Sequence, residues 1–364
     1  MSTPTALRRP FTGWTRLLRL RPERLRELSL VAIIVVAALF FSLLVDDYLS
    51  GSFFNRVTTS VAITAVLAAA QTVVILTRNI DLSVGSVVGV TAYVTGEYVA
   101  GHQGTAPALA IGLAVAIGCG LGLVNGVLVA FARVPAIIVT LGTLAIYRTW
   151  LIDHAEAQTI TAGSLPEWVV DLPKQTLVSI GELDIRVVFA VAVVLALVLQ
   201  WMLGTLKWGR WIYAVGSNPD AARQAGLPVP LVTLGAFVLS GALAGLAGFM
   251  FLARFGNVTV AAGQGLELAS VAAAVVGGVS ILGGSGTLVG ALLGAVLIDM
   301  LDQSLLRVPQ VSEFWRDAIL GGLILVAVAT DVAVGKRLRR LGALEARRRP
   351  SAGVPPEPGV AADA

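Results

Sequence analysis

Long apolar runs, separated by short polar turns, make up most of this chain of 364 residues. A helix needs about 17 to 25 mainly apolar residues to cross the hydrocarbon core of a bilayer. The pattern therefore predicts an all-α, polytopic membrane helix bundle with about ten transmembrane helices. The predicted spans lie near residues 29–45, 57–77, 82–100, 107–131, 135–152, 187–206, 229–252, 267–283, 285–301 and 317–334.

Composition excludes an ordinary soluble protein. Hydrophobic residues make up 56% of the chain and charged residues 13%, with a mean hydropathy of +0.85, whereas a typical soluble domain has about 25% charged residues. Residues 29–335 are accordingly predicted to form one transmembrane domain rather than several soluble ones.

Basic residues concentrate at the two ends of the chain. Residues 1–28 form a basic segment, and residues 336–364 form a basic stretch followed by a tail rich in Pro, Gly and Ala that is expected to be disordered. Because basic residues that flank spans stay on the cytoplasmic side, both termini are predicted to be cytoplasmic. These basic runs adjoin apolar spans and contain few aromatic residues, which argues against nucleic-acid binding. The surrounding lipid is the expected contact.

Charges between the spans agree with that orientation. The predicted cytoplasmic connections carry Arg78, Arg133 and the basic residues of 207–223, whereas acidic residues outnumber basic ones in the predicted external loop 154–186. A short echo, Arg133-Val134-Pro135 and Arg307-Val308-Pro309, follows the fourth and ninth spans. It suggests that spans 2–5 and 7–10 form an inverted repeat, which is common in transporters. The many glycines inside the spans are interpreted as helix-packing positions.

No catalytic centre is evident in the sequence. His102 and His154 have no cysteine or carboxylate at metal-ligand spacing, and no G-x-x-x-x-G-K-[ST] sequence is present to hold ATP phosphates. The chain is therefore predicted not to be an enzyme and to need no metal or cofactor of its own. Any ATP that drives it must bind to a partner chain.

A short helix is predicted within residues 207–228. Ser217 or Asn218 is placed to cap it, Pro219 is its first residue, Asp220 favours the positive end of the helix dipole, and Gly226 ends it. Two interpretations are open. It is an ordinary loop helix, or it is a helix that inserts into a groove on a partner protein.

Four sequence blocks resemble the ribose/xylose-type sugar permeases of bacterial ABC importers. They are GSNPDAARQAG at 216–226, NIDLSVGS at 79–86, VPAIIVTLGT at 134–143 and AAAVVGGVSILGGSGTLVGALLGA at 272–295. The resemblance extends over residues 30–335. Within the family, the blocks are most similar to permeases for rhamnose and autoinducer-2. Arg78-Asn79 replaces a Gly-Gly pair of ribose permeases, which argues against ribose as the cargo.

The resemblance implies a set of partners in a bacterial cytoplasmic (inner) membrane. These are cytoplasmic ABC ATPase subunits that hold the ATP, a second copy of the permease or a related permease, and an external sugar-binding protein. The cargo would be a sugar or sugar-like solute such as rhamnose, autoinducer-2 or a pentose. The residues implied to couple the permease to the ATPase are Gly216, Ser217, Asn218, Pro219, Asp220, Ala221, Ala222 and Gly226.

Polar residues within the membrane region are candidates for the translocation path or its gate. The stretch TRNIDLSVGS contains Asn79, Asp81 and Ser83 between two apolar runs. We favour a cytoplasmic turn in which Asp81 caps the third helix. The alternative is a helix break whose polar groups face the path. Asn125, Thr140 and Thr143 are further path candidates, although each is equally suited to a packing hydrogen bond.

A second class of function was weighed against the importer. An ion-gradient-driven secondary transporter or channel needs carboxylates inside the membrane. Glu97, Glu267 and Asp299 are available, but two of the three lie near predicted span ends. The sequence therefore favours the importer.

Overall fold

The computed structural model describes residues 22–181 and 183–308, with the helical positions 315, 318, 319, 321, 322, 325 and 326. Most of residues 1–28, the tail 336–364 and most of the predicted span 317–334 lie outside the described residues. A second unit begins at Gly321, and its described residues are helical. The helices of the first unit are α1 (Pro22–Ser42), α2 (Gly51–Leu76), α3 (Val84–Gly101), α4 (Pro107–Ala130), α5 (Ala136–Ala155), α6 (Glu167–Asp171), α7 (Val187–Thr205), α8 (Lys207–Ser217), α9 (Pro219–Gln224), α10 (Val229–Phe255), α11 (Leu266–Val276) and α12 (Leu288–Leu305).

The predicted multi-pass helical membrane protein is confirmed. Within the described residues, six helices are long and apolar enough to cross a bilayer, namely α2, α4, α5, α7, α10 and α12. Helices α1 and α3 cover two more predicted spans with 21 and 18 residues. The predicted span 267–283 is shorter than expected, because α11 has only 11 residues. Gly278, at φ +90°, follows soon after its end and favours termination.

Helix α2 lies at the centre of the bundle. Every residue from Ser60 to Leu76 is buried, so the helix is enclosed by protein on all sides. A helix that is apolar all round is expected at such a position. Helix α10 is the next most enclosed of the six helices that are long and apolar enough to cross a bilayer.

Glycines bring α4 and α10 into backbone contact. A Cβ atom built on Gly118 would lie 2.1 Å from the carbonyl oxygen of Gly241, and one on Gly122 would lie 2.4 Å from that of Phe237. Small residues let helices approach in lipid, where packing rather than water drives association. The predicted packing role is confirmed at these positions.

The connections between helices gather at two opposite ends of the bundle. At one end, the amide of Gly284 donates to the carbonyl of Leu76, the last residue of α2, at 3.0 Å. At the other end, Asn55 near the start of α2 accepts a hydrogen bond from the amide of Asp184 at 2.9 Å. Asp184 belongs to an antiparallel hairpin of β1 (Thr176–Ile180) and β2 (Leu183–Arg186). The all-α prediction did not include this hairpin, which lies in the predicted external loop.

Two connections turn back into the bundle. After α2, the side-chain amide of Gln71 donates to the carbonyl of Asp81, so the chain folds back beside the helix it has just left. After α10, Gly263 approaches Gly85 at the start of α3, where a Cβ on Gly263 would lie 2.2 Å from the Gly85 carbonyl oxygen. Irregular backbone at membrane depth is tolerated where protein buries it. The breaks follow the second and seventh spans, which the predicted repeat would pair.

Candidate functional site

Asn218 is the N-cap of the short helix α9. Its side-chain oxygen accepts hydrogen bonds from the amides of Asp220 at 3.1 Å and Ala221 at 3.0 Å, and Pro219 occupies the first turn. The sequence left Ser217 and Asn218 as alternative caps. Ser217 instead belongs to the end of α8, so the side chain of Asn218 satisfies the first amides of α9.

Gly226 ends α9 with a sharp left-handed turn. Its φ is +78°, its amide donates to the carbonyl of Arg223, and the amide of Leu227 donates to that of Ala222, both at 3.0 Å. These two bonds form a Schellman motif, which glycine favours because it has no Cβ atom. The predicted helix therefore has a defined start and a defined stop.

The surface of α9 is polar and presents four side chains. Asp220, Ala221, Arg223 and Gln224 are exposed, and Arg223 pairs with Asp220 at 3.3 Å. Ala222, by contrast, is only 5% exposed and packs beneath the helix. The predicted coupling residues that are exposed are Ser217, Asn218, Asp220, Ala221 and Gly226, whereas Ala222 supports the helix from below.

Gly216 fixes the base of this segment to the bundle. A Cβ atom at this position would lie 1.7 Å from the carbonyl oxygen of Leu76 and 2.6 Å from the amide nitrogen of Gly284. No side chain fits there, so the end of α8 rests directly on the end of α2. The family resemblance drew attention to Gly216, but this contact between distant parts of the chain was not predicted.

A buried polar cluster lies where α2, α3, α4 and α10 meet. Asn125 donates from its side-chain amide to the Ser83 hydroxyl at 2.8 Å, and that hydroxyl donates to a carboxylate oxygen of Asp81 at 2.6 Å. The Ser240 hydroxyl donates to the other Asp81 oxygen at 3.4 Å. Asp81 is 1% exposed and forms no ion pair with any of the described residues. Hydrogen bonds rather than a cation therefore stabilise this carboxylate.

The local role of Asp81 lies between the two interpretations of the sequence. Its carboxylate accepts a hydrogen bond from the amide of Ser83 at 3.0 Å, which satisfies a donor just before α3 begins at Val84. Ser83, not Asp81, holds the N-cap position, and it makes no side-chain capping bond. Asp81 thus forms an Asx turn ahead of the helix, inside the protein rather than on a surface turn.

The remaining path candidates divide into two groups. Thr140 reaches the break, because its hydroxyl donates to the carbonyl of Ile80 at 3.3 Å. Thr143 is buried, and among the described residues its hydroxyl bonds within its own helix, to the carbonyl of Thr140 at 3.4 Å. Asn79 is half-buried and donates locally to Thr77 at 3.0 Å. The structure therefore joins Asp81, Ser83, Asn125 and Thr140, and leaves Asn79 and Thr143 at the margin.

Sequence reasoning missed Ser240 as a member of the cluster. It lies among small and apolar residues of α10, where a serine resembles any helix-packing residue. Gln71 is a polar residue of the apolar second span, and its bond to the break was not predicted either. The sequence pointed towards a polar site only through polar residues such as Asp81, Ser83 and Asn125 within the membrane region.

The carboxylates offered for ion-driven transport do not form one site. Glu97 is exposed and pairs with His154 at 2.9 Å. Asp299 lies in the interior, where it accepts a hydrogen bond from Ser60 at 2.8 Å. Glu267 accepts from the amide of Gly265 at 3.2 Å at the start of α11. Each carboxylate has a separate local partner.

A cavity of about 550 Å³ opens at the end of the bundle opposite α9. The start of α2, the end of α10 and the segment before α7 surround it. Its polar lining residues include Ser52, Asn55, Arg56, Thr59, Lys174, Arg186 and Arg254. The polar lining of this cavity lies near the start of α2, whereas the buried polar cluster lies near the end of α2.

Comparison with known proteins identifies the relatives of the chain. The family model described as "Branched-chain amino acid transport system / permease component" matches residues 53–328. The chain is 38% identical over 325 residues to "Autoinducer 2 import system permease protein LsrC" of Salmonella typhi, covering 86% of this chain and 89% of the relative. It is 36% identical over 311 residues to the protein of that name from Yersinia pseudotuberculosis, covering 83% of each. No solved structure matches the chain.

Proposed function

We propose that this chain, which belongs to the family of branched-chain amino acid transport system permease components, carries autoinducer 2 or a chemically similar sugar. It is the permease component of an ABC importer and a multi-pass membrane protein. The observation that carries the cargo assignment is the identity of 36% to 38% with autoinducer 2 import permeases over most of both chains. Rhamnose and pentoses are the competing cargoes.

The buried polar cluster is suited to a solute rich in hydroxyl groups. The side-chain oxygens of Gln71 and Asn125 are buried and accept no hydrogen bond from the described residues. A buried acceptor without a donor is costly, and a sugar hydroxyl supplies such a donor. We place Asp81, Ser83, Asn125 and Thr140 along the path or at its gate, with Asn79 and Thr143 at its edge.

The proposed assembly contains three kinds of partner. A second permease subunit completes the membrane part, cytoplasmic ATPase subunits hold the ATP, and an external binding protein delivers the cargo. The end that carries α9 faces the cytoplasm of a bacterial inner membrane, with both termini on that side. The permease itself is non-catalytic and acts through movement. ATP must favour one conformation of the bundle over another for transport to occur.

The coupling segment 207–228 is proposed to dock on the ATPase through the exposed face of α9. Ala221→Glu places a charged side chain on that face without disturbing the buried Ala222. Ala106→Glu is the matched control, since Ala106 is also exposed but lies at the start of α4, at the other end of the bundle. We expect Ala221→Glu to reduce co-purification of the ATPase by at least about tenfold. Equal recovery of ATPase with both variants would remove the coupling assignment.

The cargo is tested by uptake into vesicles that contain the permease and its ATPase together with the cognate binding protein. We expect ATP-dependent uptake of labelled autoinducer 2, with weaker competition by rhamnose and ribose. Dissipating the proton and sodium gradients should leave uptake unchanged. Preferential uptake of rhamnose or a pentose would reassign the cargo while keeping the importer class.

A further inference from the structure

Arg78 joins the coupling segment to the break that contains Asp81. Its Nε atom donates to the carbonyl of Gly216 at 2.5 Å, and a terminal guanidinium nitrogen donates to the carbonyl of Ser217 at 2.6 Å. These are the last two carbonyls of α8. Carbonyls at a helix C-terminus lack intrahelical partners and carry the negative end of the helix dipole, so a forked cation binds them well.

The contact is geometrically restricted on both sides. Arg78 has a left-handed backbone, with φ +66°, which is unfavourable for a residue with a side chain and persists only where surrounding contacts enforce it. Its amide donates to the carbonyl of Ile75 at 2.9 Å. A Cβ atom at Gly283 would lie 2.5 Å from the Cγ atom of Arg78. The Arg78 side chain is therefore held between the glycine loop before α12 and the end of α8.

The contact made by Arg78 lies close in the chain both to the base of α9 and to the break that contains Asp81. Ser217 immediately precedes Asn218, the N-cap of α9, so the guanidinium binds the base of the proposed docking helix. Asp81 follows Arg78 closely and is bonded to Ser83 and Ser240. Arg78 is exposed, so its hydrogen bonds rather than close packing connect the two segments. This chain of contacts gives a shift of α9 a route through Arg78 to the break.

We propose that Arg78 is a positioning residue that transmits movement of the coupling segment to the buried Asp81 break. This inference rests on the proposed function, because it assumes that the ATPase moves α9. A second contact, from Gly284 to Leu76, ties the same region together. Loss of Arg78 should accordingly weaken transmission and leave the ATPase docked.

The test compares Arg78→Gln with Arg133→Gln in the complete importer reconstituted with its ATPase and binding protein. Arg133 is a close control, since it is exposed and has φ +59°, and its side chain makes no hydrogen bond or ion pair within the described part of the chain. The measured quantities are ATPase co-purification, ATP hydrolysis rate and solute molecules imported per ATP hydrolysed. A thermal melt of each purified variant reports folding.

For Arg78→Gln we expect normal ATPase recovery and a fall of at least about fivefold in solute imported per ATP, the lower range of typical coupling energies. Arg78→Lys, which keeps the charge but loses the fork, should give an intermediate ratio. Arg133→Gln should match the unmodified protein. Such a split between hydrolysis and import is not produced by a general loss of stability.

Two outcomes overturn the inference. An unchanged transport ratio in both Arg78 variants would show that the contact transmits nothing, and loss of ATPase recovery in both would make Arg78 part of the docking surface. Neither outcome depends on Ala221→Glu, the variant that tests docking of α9 on the ATPase. If Ala221→Glu also retains the ATPase, the coupling assignment fails. If Ala221→Glu alone releases the ATPase while Arg78→Gln transports normally, only the role of Arg78 fails.

Discussion

Asn125 donates a hydrogen bond to the hydroxyl of Ser83 across 2.8 Å, joining the interior of α4 to the break between α2 and α3. Both residues are completely buried. The bond therefore links an otherwise apolar helix to the segment that holds Asp81.

Replacing Asn125 with alanine should destabilise the protein and lower uptake. The variant removes the donor to Ser83 and leaves a small cavity, for which a loss of about 1 to 3 kcal/mol in the free energy of unfolding is expected. Thermal unfolding in detergent measures the effect. Leu123→Ala on the exposed face of the same helix is the control. A melting temperature equal in the two variants would contradict a structural role for the bond.

Gly118→Ala should separate α4 from α10, because the new Cβ atom would lie 2.1 Å from the carbonyl of Gly241. Gly120→Ala, with no atom within 4 Å of the new Cβ, should be neutral or slightly stabilising. The overpacking expected in Gly118→Ala typically costs about 1 to 3 kcal/mol of stability. The comparison uses the yield of monodisperse protein and its melting temperature. Similar behaviour of the two glycines would refute the close crossing.

Asn218→Ala should loosen α9 without unfolding the bundle. The variant removes the acceptor for the amides of Asp220 and Ala221, and loss of such a cap costs about 0.5 to 2 kcal/mol. Asn218→Asp retains an acceptor and should behave like the unmodified chain. Hydrogen exchange of the backbone amides of residues 220–224 measures the loosening. Protection that survives in the alanine variant would show that the cap does not hold the helix.

The two ends of the bundle should be accessible from opposite sides of the membrane. Cys119 is the only cysteine, so Cys119→Ala provides a thiol-free chain. In that background, Gln175→Cys should react with a membrane-impermeant maleimide on intact cells. Gln224→Cys, also exposed, should react only after permeabilisation. Labelling of Gln224→Cys but not of Gln175→Cys on intact cells would reverse the proposed orientation, and labelling of both would contradict the placement of the two ends on opposite sides.

Local signals in the sequence predicted the helix α9 well. Asn218, Pro219 and Gly226 act on neighbouring amides and carbonyls, so their spacing alone indicates a start and a stop. The spans were predicted because a bilayer requires a minimum apolar length. The early end of α11 was not predicted, because Gly277 and Gly278 look like the packing glycines of other spans.

Long-range contacts account for what the sequence did not reveal. Ser240 and Asp81 are separated by 159 positions, and Arg78 and Gly216 by 138. No periodicity or spacing links residues so far apart, and the folded bundle alone brings them together. The polar cluster was anticipated in its members Asp81, Ser83, Asn125 and Thr140, but not in its connections.

The enclosed position of α2 has a consequence for biosynthesis. Ser60 on this helix donates to Asp299, which the ribosome adds 239 residues later. At about 5 to 20 residues per second, the serine waits roughly 10 to 50 seconds for its acceptor. During that interval a helix destined for the protein interior lies beside lipid or the insertion machinery. Completion of the packing between α2 and α12 is therefore a late event, and a nascent chain truncated before α12 leaves α2 without this neighbour.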